Sequence, residues 1–575
     1  MQLEWPLARG ARGVRRRSPA MRGAAGAAAR AALALATAAA ALAHEADAAP
    51  DVPDSAPFDL LELRVPGRAV QAWSLAPSVS CPSPLARTLL VLSVDGVPPR
   101  ERRRANGFAC LPAANGGSPA SEGGAETAER APIVPSFTLP IPRDIVGVDS
   151  ADARPDWPGD ELLLVAGDGL RVLATDGSGA VQRIAGSGPL PLPARTRAVS
   201  RMPVAGRWNG RDELSVLLPT AGGVRWLRLR DGARVELALP IESDYRNATA
   251  EPPADAPELT TATLAWPALA MADDDGDGRD DLFALWRFGA WVFRTTGDGP
   301  TGFAPAPGGV LGPTRRAEFK PFSDEEEIRH AASDVQIFAR DLDRDGRADL
   351  VVDRTMGGML KSWASTEVHR NGGAGAETGD AHVARLETQG AIAGVDVLDL
   401  DGDARSEIFR TLLAFNARQL LRFVATGRAR VDFSVLALDA GADDGLRETW
   451  RDSVSLELDW TTGRIAGVFP DLRGDWNGDG RADLVLPDGA RRIAIRLGED
   501  GEHGAAFGGT AAVQPFPLDA ASIEAADLDG DALDDLVAFD PRSPDGRVFV
   551  LRNRGVLPGT PTAPVLRAAE PDEPR

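Results

Sequence analysis

Short apolar runs recur along the chain from residue 58 to 553, separated by Gly, Pro, Asn and Asp. "DVQIFA" at 334–339, "DLFALW" from 281, "DLVLP" from 483, "GAWVFRTT" at 289–296, "RIAIRLG" at 492–498 and "RVFVLRN" at 547–553 are typical. Runs of this length and punctuation predict β-strands rather than helices. They also come in a fixed order. An apolar stretch leads into an acidic loop, a second apolar strand follows at once, and a third strand comes after a short turn. A Gly-rich turn then often closes the unit, as in "GDGPTGFAP" at 297–305 and "GEDGEHGAAFGG" at 498–509.

The acidic loops repeat almost letter for letter. "DDDGDGRDDLFAL" (273–285), "DLDRDGRADLVVD" (341–353), "DLDGDARSEIFRT" (399–411), "DWNGDGRADLVLP" (475–487) and "DLDGDALDDLVAF" (527–539) share the pattern D-x-[DN]-x-D-[GA]-x-x-[DE]-[LI]. "WPGDELLLV" (157–165) and "WNGRDELSVLL" (208–218) keep the Trp, the Gly and the acidic-Leu step into a strand, but lack the fifth-position Asp. That makes seven units, with room for four short strands in each. Radially repeated four-stranded units are the signature of a propeller, whose closure protects the strand edges. The expected fold is therefore all-β: a seven-bladed β-propeller over 138–560 with a small N-terminal β segment at 44–112. Residues 113–137 read as a flexible linker and 561–575 as a disordered tail.

Carboxylates at alternate positions, with Gly between them, bring several hard oxygens to one point, which suits Ca2+ with its six to eight oxygen ligands. The expected side-chain ligands are Asp273, Asp275, Asp277 and Asp281; Asp341, Asp343, Asp345 and Asp349; Asp399, Asp401, Asp403 and Glu407; Asp475, Asn477, Asp479 and Asp483; and Asp527, Asp529, Asp531 and Asp535. The backbone carbonyls of Arg279, Arg347, Arg405, Arg481 and Leu533 stand where a further ligand is wanted. Ala404 and Ala532 occupy a position that favours Gly, so these two loops should be strained. An EF-hand is excluded, because position twelve is Ala284, Val352, Arg410, Leu486 or Ala538 rather than a bidentate Glu. About five structural Ca2+ sites are expected, and none in the two degenerate units.

On these loops the chain resembles the FG-GAP/VCBS repeat family, which includes the propeller of integrin α subunits and many exported bacterial proteins. "GFAP" at 302–305 and "FGG" at 507–509 are the remaining traces of the family's name-giving letters, so the bacterial VCBS form is the closer match. The resemblance implies a seven-bladed propeller, calcium in the loops between the first two strands of a blade, and roles in adhesion or interaction.

Composition adds a compartment. Arg15, Arg16, Arg17 and Arg22 precede the apolar "AALALATAAAALA" of 31–43 and an A-x-A site at Ala41–Ala43, which reads as a signal peptide over 1–43. Its removal takes seven arginines and one glutamate with it and moves the net charge from −21 to −27. Such a surface repels nucleic acid and anionic membranes and attracts cations. The two cysteines, Cys81 and Cys110, are expected to form a disulfide in an oxidising compartment. The protein should lie in the periplasm, at the cell surface or outside the cell, with no membrane insertion after cleavage.

Other features carry less. "RGD" at 473–475 ends on the first residue of an acidic loop, which commits the carboxylate elsewhere. The five histidines show no zinc spacing. Trp157, Trp208 and Trp476 flank loops and read as packing residues. The expected function is a non-enzymatic binding or adhesion module for an unidentified protein or glycan. A propeller-based polysaccharide lyase or hydrolase, or a scaffold in a surface assembly, are the alternatives.

Overall fold

The strands observed in the computed structural model explain why the second strand of a unit carries an unbroken apolar run after its leading acid. In "ELLLVA" (Glu161–Ala166) all six residues are buried. Leu162 and Leu164 pack toward one neighbouring sheet, Leu163 and Val165 toward the other. A strand covered on both faces loses the alternation of a surface strand. The structure describes residues 57–77, 86–96, 101–111, 132–192, 199–209, 213–220, 222–239, 245–248, 261–264, 267–286, 289–296, 302–303, 314–318, 335–358, 361–371, 383–413, 417–438, 445–459, 464–489, 491–501 and 504–560. The signal peptide and the tail expected at 561–575 fall outside them.

Eight antiparallel sheets of four or more strands form a β-propeller, so the expected count of seven is corrected to eight. Blade 1 spans 68–141, blade 2 145–183, blade 3 205–238, blade 4 268–318, blade 5 335–389, blade 6 391–459 and blade 7 471–515. Blade 8 takes its three inner strands from 520–553 and its outermost strand, Phe58–Arg64, from the start of the described chain. That strand pairs antiparallel with Arg547–Asn553, in register from Phe58 opposite Asn553 to Arg64 opposite Arg547. The N-terminal β segment is thus no separate module: it supplies the closing strand and most of blade 1. Its units escaped the repeat because blade 1 has no acidic loop to mark it. The expected linker reaches Phe137, where the last strand of blade 1 begins, and Ile133 forms a bridge with Leu63.

Eight apolar clusters lie between consecutive blades and run once around the ring. The one joining blade 8 to blade 1 contains Leu63, Leu89, Val91, Val537 and Val550. Trp208 and Trp476 are buried packing residues, as expected. Trp208 donates its indole N–H to Val204 O at 2.8 Å, and the Trp476 ring meets Phe58 edge-on at 5.7 Å. A helix, Ala417–Thr426, is inserted between the second and third strands of blade 6. Among the described residues, no helix is long and apolar enough to cross a membrane. Cys110 is not a free thiol, and Cys81 lies outside the described residues.

Candidate metal loops

Each acidic loop joins the first strand of its blade to the second. In blade 5 the first strand ends at Arg340 and the second begins at Asp349. The loop is shaped by its own carboxylates before any ion is considered. Asp341 Oδ1 accepts the N–H of Arg344 at 2.7 Å, and its Oδ2 accepts that of Gly346 at 2.9 Å. The fifth-position Asp345 accepts the N–H of Arg347 at 2.8 Å. The same bonds recur from Asp273, Asp399, Asp475 and Asp527 at the first position, and from Asp277, Asp403, Asp479 and Asp531 at the fifth. In the RGD tripeptide, Asp475 therefore has both oxygens engaged by Gly478 and Gly480 and is nearly buried.

Two loop positions require a left-handed backbone. Position six holds Gly278, Gly346 and Gly480, and also Ala404 at φ 67° and Ala532 at φ 69°, as expected. Position four is left-handed too, which the sequence reading missed: Gly276, Gly402, Gly478 and Gly530 sit there, and Arg344 adopts φ 63°. Gly in four of five copies was the available signal.

The ninth-position acid does more than offer a ligand. Asp483 Oδ2 accepts the Trp476 N–H at 2.7 Å and its Oδ1 accepts the Gly498 N–H at 2.8 Å, clamping the loop to the third strand. Asp281 does this with Asp274 and Thr295, Asp349 with Leu342 and Asn371, and Asp535 with Leu528 and Asn553. Glu407 accepts from Leu400 at 2.9 Å. In blade 2, Glu161 keeps half of the role, accepting from Ala153 and Arg154. All six are buried. Burial, reinforced by neighbouring carboxylates, pushes Asp281 up to about 6, Asp349 and Asp483 to about 7 and Glu407 to about 8. Asp535 is raised well above the ordinary carboxylate range for the same reasons.

Successive loops are also tied to each other. The eighth-position N–H donates to the first-position carbonyl of the preceding blade: Ala348 to Asp273 O at 2.6 Å, Ser406 to Asp341 O at 3.1 Å and Asp534 to Asp475 O at 3.5 Å. Asn371 Nδ2 reaches Asp274 O and Asn553 Nδ2 reaches Trp476 O, each at 2.7 Å. In blade 2, Asp160 donates its N–H to Ala76 O and accepts that of Ala76. Where these bonds form, between blades 1 and 2, from 4 to 6, and between 7 and 8, the loops make a hydrogen-bonded belt.

Four of these loops bring carboxylate oxygens within 4.8 Å of one another: Asp273, Asp275 and Asp281; Asp341, Asp343 and Asp349; Asp399, Asp401 and Glu407; Asp527, Asp529 and Asp531. Oxygens sharing one calcium at about 2.3–2.6 Å are at most about 5.2 Å apart, so the spacing and the all-oxygen donor set fit such an ion. Several groups can hold a metal. The first, third and ninth positions converge in blades 4, 5 and 6, while Asp277, Asp345 and Asp403 stay outside those groups. In blade 8 the fifth position, Asp531, replaces the ninth, Asp535. In blade 7, Asn477 stands at the third position and donates to Asp479 at 2.9 Å; no three-acid group forms there among the described residues. Arg279, Arg347, Arg405, Arg481 and Leu533 donate their N–H groups to the fifth-position carboxylates.

The FG-GAP-like repeat profile matches residues 475–538, which run from the loop of blade 7 to the second strand of blade 8. That match, together with the propeller arrangement, supports an FG-GAP-like repeat protein. No curated protein matches it. Among solved structures, the biofilm matrix protein Bap1 of V. cholerae is similar at 12% identity and TM-score 0.26, over 73% of this chain and 89% of that one. The Photorhabdus luminescens Tc holotoxin pore is similar at 12% identity and TM-score 0.16, over 85% of this chain and 27% of that one. At such scores neither likeness enters the argument that follows.

Proposed function

We propose that this chain is an exported, calcium-stabilised propeller that acts as a non-enzymatic binding or adhesion module for a protein or a glycan. The observation that carries the calcium reading is the convergence of first-, third- and ninth-position carboxylates in three consecutive blades. Calcium there would screen carboxylates that burial and mutual repulsion disfavour. At about millimolar calcium, a ~0.1 mM site adds roughly 1.4 kcal/mol, so a few sites together would rival the net stability of a domain. The non-enzymatic reading rests on the strongly shifted loop acids. Each of Asp281, Asp349, Asp483 and Asp535 spends both oxygens on backbone N–H groups, so burial in an architectural clamp accounts for its shift without catalysis. Export is supported by the basic and apolar segments of 1–43.

The test is thermal unfolding of the full chain with calcium, with magnesium and with a chelator, alongside an ion count by native mass spectrometry. A calcium-specific rise in Tm with several ions bound is the expected result. No bound calcium and no shift would leave the loops as hydrogen-bonded turns and remove the reading.

A further inference from the structure

One of the acidic loops already has a cation of its own. Arg552, on the third strand of blade 8, is 1% exposed, and its guanidinium donates to Asp529 Oδ2, at the third position of the blade 8 loop. Its charge is also felt at Asp535, the ninth position of the same loop. Arg552 directly precedes Asn553, whose N–H is clamped by Asp535. In blade 4 the corresponding residue is Arg294, immediately before the clamped Thr295. It reaches Asp274 at 3.1 Å and Asp275 at 3.3 Å, but it is about half exposed and not enclosed with them. In blade 7 the same place is Leu497, before the clamped Gly498, and carries no charge.

We infer that Arg552 is the resident counter-ion of the blade 8 loop and takes the place that calcium takes elsewhere in the belt. A buried guanidinium must keep its carboxylate, since leaving either charge unpaired inside the protein is strongly unfavourable. Asp529 is therefore committed, and a divalent ion placed beside it would face a fixed positive charge at low dielectric. The altered oxygen grouping in blade 8, with Asp531 in place of Asp535, accompanies this arrangement. Blade 8 is also the blade that closes the ring, with strands from both ends of the chain. Its loop is set without metal, so closure does not wait for calcium, while blades 4, 5 and 6 respond to it. This inference rests on the calcium reading for those other blades.

The experiment compares Asp529→Asn with Asp343→Asn, the same loop position in blade 5, in the full chain. Native mass spectrometry counts bound calcium, and thermal unfolding in chelator reads the metal-free protein. Asp529→Asn is expected to leave the calcium count unchanged and to lower the Tm in chelator by about 3 to 5 °C, because it strands Arg552. Asp343→Asn is expected to remove one ion and not to lower the Tm in chelator. Loss of an ion from Asp529→Asn, or an unchanged Tm in chelator, overturns the inference. If the unaltered chain binds no calcium at all, the calcium reading fails, and the Tm of Asp529→Asn in chelator still decides whether Arg552 depends on Asp529.

Discussion

Raising the pH should weaken the metal-free propeller, and calcium should remove the part of that effect that comes from blades 4, 5 and 6. Asp281, Asp349, Glu407 and Asp483 all titrate above the ordinary carboxylate range, from about 6 to about 8, because they are buried among other acids. Between about pH 4 and 8 the folded state therefore binds more protons than the unfolded chain, and stability falls as pH rises. The contribution is complete below about pH 4 and is lost as the pH passes the folded-state values. A carboxyl raised from an ordinary value near 4 to about 7 corresponds to about 4 kcal/mol, so three or four such loops match the net stability of a typical domain. With an unfolding entropy of about 2.1 cal/mol/K per residue over roughly 500 residues, 1 kcal/mol moves the Tm by about 1 °C, and the total fall is at least about 10 °C. The assay is Tm against pH from about 5 to 8, in chelator and in calcium. In calcium the ninth-position acids of blades 4, 5 and 6 are held ionised and their slope disappears. A slope should remain from Asp483 and Asp535 in the loops of blades 7 and 8, from Asp353, which burial pushes to about 7 between blades 5 and 6, away from the loops, and from Glu161 in blade 2. Asp353→Asn should reduce that remainder without abolishing it. A Tm in chelator that is level or rises from pH 5 to 8 would refute the reasoning.

Two further outcomes follow from backbone geometry and closure. Ala532→Gly and Ala404→Gly should each raise stability by about 1 kcal/mol in urea unfolding, because both alanines are held at positive φ. Deleting the chain up to residue 64 should expose the edge of Arg547–Asn553 and uncover Val548 and Val550, giving a lower Tm and aggregation visible by light scattering.

The acidic loops were legible because five copies of one pattern leave little freedom: carboxylates at alternate positions, a tight turn, then a strand. The loop-to-strand order and the strain at Ala404 and Ala532 followed from the same reasoning. The blade count was not legible. Blade 1 carries no acid loop, and the partner of Phe58–Arg64 lies at the opposite end of the described chain, beyond any local pattern. The clamping role of the ninth acid was hidden for another reason. Asp281 and Asp483 look like ligands in the sequence, and only the third strand, brought back alongside, shows that Thr295 and Gly498 need them. Arg552 lies 23 residues from Asp529, so a reading centred on the loops passed it by.

The closing strand also fixes a timetable. Phe58–Arg64 is synthesised long before its partner, Arg547–Asn553; the contact from Arg64 to Asp545 spans 481 residues. Blades 1 to 7 each contain their own four strands and can form as they are made, whereas Phe58–Arg64 must stay unpaired throughout. Joining ends so far apart costs little extra entropy, since the penalty grows only with the logarithm of loop length. What it costs is time: the exposed strand must avoid every other strand edge until its partner has been made. Glu62 and Arg64 hold charges on that strand, and Arg547 meets Glu62 when it arrives, so the waiting edge is marked for the partner it will finally take.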